Sequence, residues 1–276
     1  MTVGEVIGVV LMAVGGALST LAAIGIVVFP TTLARMHAAT KSASLGLALL
    51  AIGDGLIAEG WGLFGIGLLL AALLFGTAPI SGHMLGRAAY FSGKAPGLVH
   101  DDLGGARPDP LRVVGRTTGG FSYLRWFALL AIWVVLWREA SAAVIAGGAL
   151  VAAVVELLLT TTPGVTRVRP VGLVLFVVRY AWMVVVSNLR VARVVLTPGH
   201  DQIREAIVAV PLTTESVFAA VLVSNAITFT PGTLTVELTE HPMVVYVHVL
   251  QFTSVDEIRA QVADLERLVS AAFAPA

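Results

Sequence analysis

Arg35, His37 and Lys41 fall within seven positions of one another, in the run Phe29-Pro30-Thr31-Thr32-Leu33-Ala34-Arg35-Met36-His37-Ala38-Ala39-Thr40-Lys41 that connects two long apolar stretches. Such a cluster can hold a neighbouring protein or an anionic lipid, or tune the entry of an ion. It can equally just anchor a connection on the cytoplasmic side, where Lys and Arg accumulate. His37 lacks a second ligand at metal-binding spacing. Asp54 follows Lys41 by 13 residues, about 20 Å along a helix. An ionisable group at that depth is a candidate for a cation path; the plain alternative is a helix end frayed by Gly53 and Gly55 into headgroups. Glu156 is a similar candidate, with pairing to Arg167 or Arg169 as its plain alternative. Pro79 sits in an apolar helix, where it removes one backbone hydrogen bond and can expose a carbonyl. A cation path can use such a carbonyl, although a packing kink is commoner. Thr230-Pro231-Gly232-Thr233 reads as a type II turn, with Pro231 and Gly232 at its centre. The sequence contains no Gly-rich phosphate loop, nucleophile elbow or zinc motif, so neither an enzyme, a cofactor nor a metal is expected.

The elements that must position these residues are mostly membrane helices. Val6 to Phe29 carries no charge and is long enough to cross a bilayer. Pro30 ends it. Further apolar runs lie at about 42–59 and 61–83. Hydrophobic residues make up 57% of the chain and charged ones 12%, against about 25% charged in a soluble domain. Mean hydropathy is +0.92. The net charge of zero hides an asymmetry: residues 1–199 hold 14 Lys/Arg and 8 Asp/Glu, whereas residues 200–276 hold 3 and 9. The front is a membrane part with basic connections and the tail an acidic module. No basic stripe suggests nucleic acid. Cysteine is absent, which excludes disulfides and thiolate metal sites. The start lacks a basic n-region and carries Glu5, so it does not read as a signal peptide.

These features predict about five or six transmembrane helices followed by a small C-terminal α/β domain. Residues 1–91 form a three-helix membrane domain. Residues 92–122, rich in Gly, Pro and mixed charge, form a linker. Residues 123–199 hold a helical hairpin and a further apolar run at 171–189. Residues 200–276 form the α/β domain, with strands near 206–212, 233–238 and 244–249 and helices near 215–227 and 256–272. Ser254 and Glu257 suggest a capping box on the last helix. The basic residues place the first connection, the linker and the tail in the cytoplasm and the N-terminus outside. Bases on both flanks of 171–189 favour an interfacial helix there, with a sixth crossing as the alternative.

Two sets of motifs resemble one known family, the Mrp (Mnh) multi-subunit sodium/proton antiporters. Phe29-Pro30, Arg35-Met36-His37-Ala38-Ala39-Thr40-Lys41 with Leu45-Gly46, and Thr77-Ala78-Pro79-Ile80-Ser81-Gly82-His83 resemble its G-type component. Where that component commonly has an Asp after the first proline, this chain has Thr31. Ser187-Asn188-Leu189-Arg190-Val191-Ala192-Arg193, Ile207 to Leu212, Asn225 to Leu234 and Tyr246-Val247-His248-Val249-Leu250 resemble its E-type component. The resemblance implies a natural fusion, G-like then E-like. It implies an accessory subunit in a prokaryotic plasma membrane, multi-pass, with its C-terminal domain cytoplasmic. Its partners would be the other subunits, including large complex I-like proton-pumping ones, with sodium and protons as the transported ions. The chain would help to form the wall of the cation pathway, and the turn at Thr230–Thr233 would contact a neighbouring subunit. The membrane part lacks the row of Lys, Glu and His that its own proton channel would need. A structural or lipid-binding membrane scaffold is the rival reading, and a self-sufficient small channel the third.

Overall fold

The structure is a computed structural model that describes residues 1–58, 61–95, 97–104, 122–158, 167–197, 203–230 and 232–274. Helix α1 (Val3–Val28) opens on a capping box between Thr2 and Glu5. It packs against α3 (Ala43–Ile57) through glycines. A Cβ built on Gly15 would stand 2.6 Å from the Gly46 carbonyl oxygen, and one on Gly8 would stand 2.7 Å from that of Gly53. Helices in lipid gain little from hydrophobic exclusion, so small residues that let backbones approach supply the contact. Gly53 and Gly55 therefore do not fray the helix end. A Cβ on Gly55 would lie 2.6 Å from Phe64 Cα on α4 (Trp61–Phe91), so both glycines are close-contact positions.

The expected loop at 30–41 is helical. Thr31 caps α2 (Thr32–His37) by accepting from the Ala34 N–H at 3.1 Å. A wide π-helical turn, Ala38–Ser42, then carries the chain into α3. Leu33, Ala34, Met36 and His37 are buried. Helix α4 runs eight residues past His83, the expected end of the third apolar run. Four stretches, Val3–Val28, Thr32–Ile57, Gly62–Phe91 and Pro170–Leu196, are long and apolar enough to cross a membrane. Helices α5 (Tyr123–Trp137) and α6 (Ala142–Leu158) form the expected hairpin, turning at Arg138 with φ 55°. At 15 and 17 residues their described lengths fall short of the roughly 20 residues a crossing takes.

The α/β part is a four-stranded sheet in the order β1-β3-β5-β4. Strands β3 (Ala206–Pro211), β4 (Thr233–Glu240) and β5 (Met243–Val249) lie close to their expected positions and pair antiparallel. The fourth strand, β1 (His100–Asp101), comes from the stretch expected to be linker and runs parallel to β3. Leu103 beside it is 1% exposed, and Asp102 Oδ2 accepts from the Ala209 N–H at 2.8 Å.

Period-2 alternation gives this sheet two apolar faces. One carries Val208, Val210, Val245, Val247 and Val249 and is covered by α8 (Val217–Phe229) and α9 (Val255–Ala272). Ser254 caps α9 through the Glu257 N–H, whereas the Glu257 carboxylate takes the Thr253 hydroxyl at 2.6 Å. The opposite face carries Ile207, Leu234, Val236 and His248. Leu33, Met36 and Ala89, from α2 and α4, close it together with Leu103 and Tyr90. Helix α7 (Pro170–Leu196) lies alongside α9. Its start is tied there by the pairing of β2 (Arg167–Val168) with β6 (Phe273–Ala274), and Phe176, Tyr180 and Met183 pack on the first sheet face. Val174, Val178, Trp182, Val185 and Leu189 are exposed on the same helix.

Candidate functional site at the helix–sheet junction

Burial of a polar side chain is costly unless it is paired, and several buried polar groups, among them His37, Glu205, Glu237 and His248, lie where α2 and α4 meet the sheet. His37 points from the last turn of α2, and His248 points from β5 toward it. Both are fully buried. His37 Nε2 lies 2.9 Å from His248 Nδ1, edge to edge, with the ring centroids 5.1 Å apart and the ring planes 30° apart. The second nitrogen of His248, Nε2, faces Glu205 Oε1 at 3.1 Å, off the line of an ideal hydrogen bond. The same carboxylate oxygen accepts from Thr31 Oγ1 at 2.8 Å. Glu205 is 5% exposed and directly precedes β3. The result is a continuous polar chain, Thr31–Glu205–His248–His37, that starts and ends on the N-terminal helices and passes through the sheet.

A second connection runs alongside. Arg87 of α4 forms an ion pair with Glu237 of β4, both largely buried. His83 Nδ1, one turn earlier, is 3.3 Å from the Thr235 carbonyl oxygen. Leu234 fills the space between, against Gly82 and Gly86.

The residues singled out in the sequence fare differently. Arg35 is exposed and donates Nε–H to the Phe29 carbonyl at 2.7 Å, a cation at the C-terminal end of α1 where the helix dipole favours it. His37 is buried, so it offers no surface to lipid, and its ring contacts the sheet of its own chain. The Lys41 side chain lies outside the described residues. Asp54 is exposed in the last turn of α3 and Pro79 is buried within α4. Among the described residues Glu156 pairs with Arg125 and not with Arg169; the Arg167 side chain lies outside them. Glu156 accepts from Arg125 Nε at 3.0 Å and from the Ser122 N–H at 2.7 Å, clasping the two helices of the hairpin, because both partners sit at the start of α5 beside the end of α6. Asp54, Pro79 and Glu156 thus lie on three different helices.

Pro231 lies outside the described residues. Gly232 has φ +65°, as the central position of a type II turn requires. The Thr230 and Thr233 hydroxyls are buried and both donate to the Ile227 carbonyl at 2.7 Å. Their inward direction makes this segment the cap of α8.

Sequence reasoning singled out neither Glu205, His83, Arg87 nor Glu237 as a site, and it used His248 only as a motif letter. One signal was present: His248 is the polar residue in an otherwise apolar strand, Val244-Val245-Tyr246-Val247-His248-Val249, where burial demands a partner.

Apolar helices of spanning length, with a sheet whose second face they cover, define a multi-pass membrane protein built from two interlocked parts. Comparison with known proteins gives the family of each part. A family model described as a Na+/H+ ion antiporter subunit, of the E type, matches residues 126–272. Another, described as a Na+/H+ antiporter subunit and of the G type, matches residues 11–90. Among curated relatives, the G-type Na(+)/H(+) antiporter subunit of Alkalihalophilus pseudofirmus is 44% identical over 93 residues, 33% of this chain and 77% of the relative. The putative antiporter subunit mnhG2 of Staphylococcus aureus (strain MRSA252) is 35% identical over 100 residues, 36% of this chain and 69% of the relative. The chain belongs to the Mrp/Mnh Na+/H+ antiporter subunits and joins a G-like and an E-like part in one polypeptide.

Proposed function

We propose that this chain is an accessory subunit of a multi-subunit sodium/proton antiporter in a prokaryotic plasma membrane, forming part of the wall around the cation pathway and holding neighbouring subunits in place. The observation that carries the reading is the pair of family matches at 11–90 and 126–272 on one chain. The partners are the other subunits, including large complex I-like ones that carry the protons; this chain supplies surface. Asp54 and Pro79, on the N-terminal helices, are the candidates for the pathway wall. Glu156, neutralised by Arg125, serves the hairpin. The test is purification of the tagged chain in mild detergent beside antiport in everted vesicles from a strain lacking it. Co-purification of large multi-spanning proteins, with sodium-dependent proton exchange restored by the chain, is the expected result. A homo-oligomer without partners, and unaltered exchange in the deleted strain, would support the scaffold reading instead.

The tail is cytoplasmic in this reading, and α7 lies in the membrane interface. The support is its side-by-side packing on α9, which carries Asp256, Glu257, Arg259, Asp264 and Arg267, together with the apolar residues exposed elsewhere on α7. A helix with one face on a charged domain and another in the acyl boundary matches a monotopic placement. The chain has no native cysteine, so single cysteines report cleanly. An impermeant thiol reagent on intact cells should label Thr2→Cys and leave Ala263→Cys unlabelled; labelling of Ala263→Cys refutes the interfacial placement.

A further inference from the structure

We propose that His37, His248 and Glu205 form one proton-binding site, shared across the junction between the N-terminal helices and the C-terminal sheet. The 2.9 Å contact between His37 Nε2 and His248 Nδ1 carries the argument. Two imidazole nitrogens approach that closely only with a single proton between them, since two N–H groups or two lone pairs would repel. Two arrangements that satisfy this differ in the number of protons bound. In the first, His37 Nε2–H donates to His248 Nδ1, while His248 Nε2–H faces the ionised Glu205. Both rings are then neutral and the site carries one negative charge. In the second, His248 holds protons on both nitrogens, Nδ1–H donates to His37 Nε2, and Nε2–H faces Glu205 at 3.1 Å. That form contains one proton more, and its imidazolium neutralises the carboxylate. In the second form His37 carries its own proton on Nδ1, so the two forms differ by that one bound proton and by which ring holds the proton between them.

The surroundings suit this exchange. Phe29, Leu33, Ala34, Ala38, Leu234 and Leu250 around the junction are all buried, and a dry site disfavours net charge, which the proton-bound form avoids. Thr31 Oγ1 holds Glu205 Oε1 in place at 2.8 Å. Among the described residues the charged and titratable groups on the packed elements are few; the Lys41 side chain, on the turn that follows α2, lies outside them. Arg35 on α2 is turned to the Phe29 carbonyl. On α4 and β4, Arg87 and Glu237 neutralise one another, with His83 against the Thr235 carbonyl. Arg204 beside Glu205, and Arg190 and Arg193 on α7, lie on the elements that flank the site. Histidine is the side chain whose charge ordinarily changes near neutral pH, and two that share a proton titrate as a pair.

The test is 15N NMR of the histidine-labelled full chain in detergent between about pH 5 and 9, the range that brackets an ordinary imidazole, with assignments from single substitutions. The expected result is that His37→Gln moves the midpoint of His248, and His248→Gln that of His37, by at least about one pH unit, tenfold in proton affinity. Glu205→Gln should move both while keeping the shape of the site, so it decides the matter if either histidine variant fails to fold. Independent midpoints in these variants, or no titration of either histidine over this range in the wild type, would overturn the proposal. The measurement requires no transport, so its outcome stands apart from that of the antiporter role.

Discussion

Thr31 and Glu205 meet at one place from opposite parts of the chain. The position after the first proline is Thr31, whose hydroxyl donates to the Glu205 carboxylate from the E-like part. A carboxylate thus stands beside α2, supplied by the residue just before β3. Conformation constrains single residues as firmly. Gly232 has φ +65°, and a Cβ there would meet Leu250 Cβ at an ordinary 3.6 Å. Space is available, and the backbone angle is what resists a side chain. Gly232→Val should therefore lower stability by about 1–3 kcal/mol, as strained positions do, and a shifted thermal midpoint of the full chain with an unchanged fold checks it. The positive φ at Gly232 was legible in the sequence because a glycine in a turn position has a local geometric meaning. The polar chain was not, because His37 and His248 are 211 residues apart, and no local pattern states which buried histidine faces which.

At the scale of elements, most helices and strands of the chain follow from periodicity and apolar runs. The departures share one cause, the sheet's second face. Helix α4 outruns its apolar stretch because Arg87 and Tyr90, polar in sequence, lie against Glu237 and Asp101. The segment 97–104 has a linker's composition, yet it supplies a strand, since Leu103 and two paired backbone positions suffice to extend the sheet. The loop at 30–41 is helical because its apolar residues have that same face to cover. The Arg87–Glu237 pair is a largely buried ion pair in this layer. Breaking one partner of a buried pair costs about 3–5 kcal/mol, because a charge stays behind in the interior. Arg87→Ala should lose stability on that order, and Glu237→Gln combined with Arg87→Ala should recover part of it. A cycle of thermal unfolding measurements on the four proteins gives the coupling. Strict additivity would show that the pair contributes nothing beyond its separate residues.

At the scale of the whole molecule, the G-like helices and the E-like sheet are held together by packing as well as by the covalent chain. Ile207, Leu234, Val236 and His248 would be open if α2, α4 and β1 were removed. The covalent connection then acts chiefly by raising the effective concentration of one half at the other, and it fixes their ratio at one to one. The position of a cut therefore matters more than the fact of one. Splitting between Ala106 and Arg107 leaves β1 and Leu103 on the N-terminal fragment, with the docking groups described above intact on both halves. Two co-expressed fragments should assemble and retain most antiport, and the loss should grow as their expression falls. Deleting residues 98–104 from an uncut chain keeps the covalent bond but strips the edge of β3 and exposes Ile207, so it should impair assembly even at full expression. Antiport in vesicles beside pull-down of one fragment by the other reads both outcomes. If the cut abolishes exchange with both fragments present at normal levels while the deletion is silent, the covalent link rather than the shared sheet is what holds the two parts together.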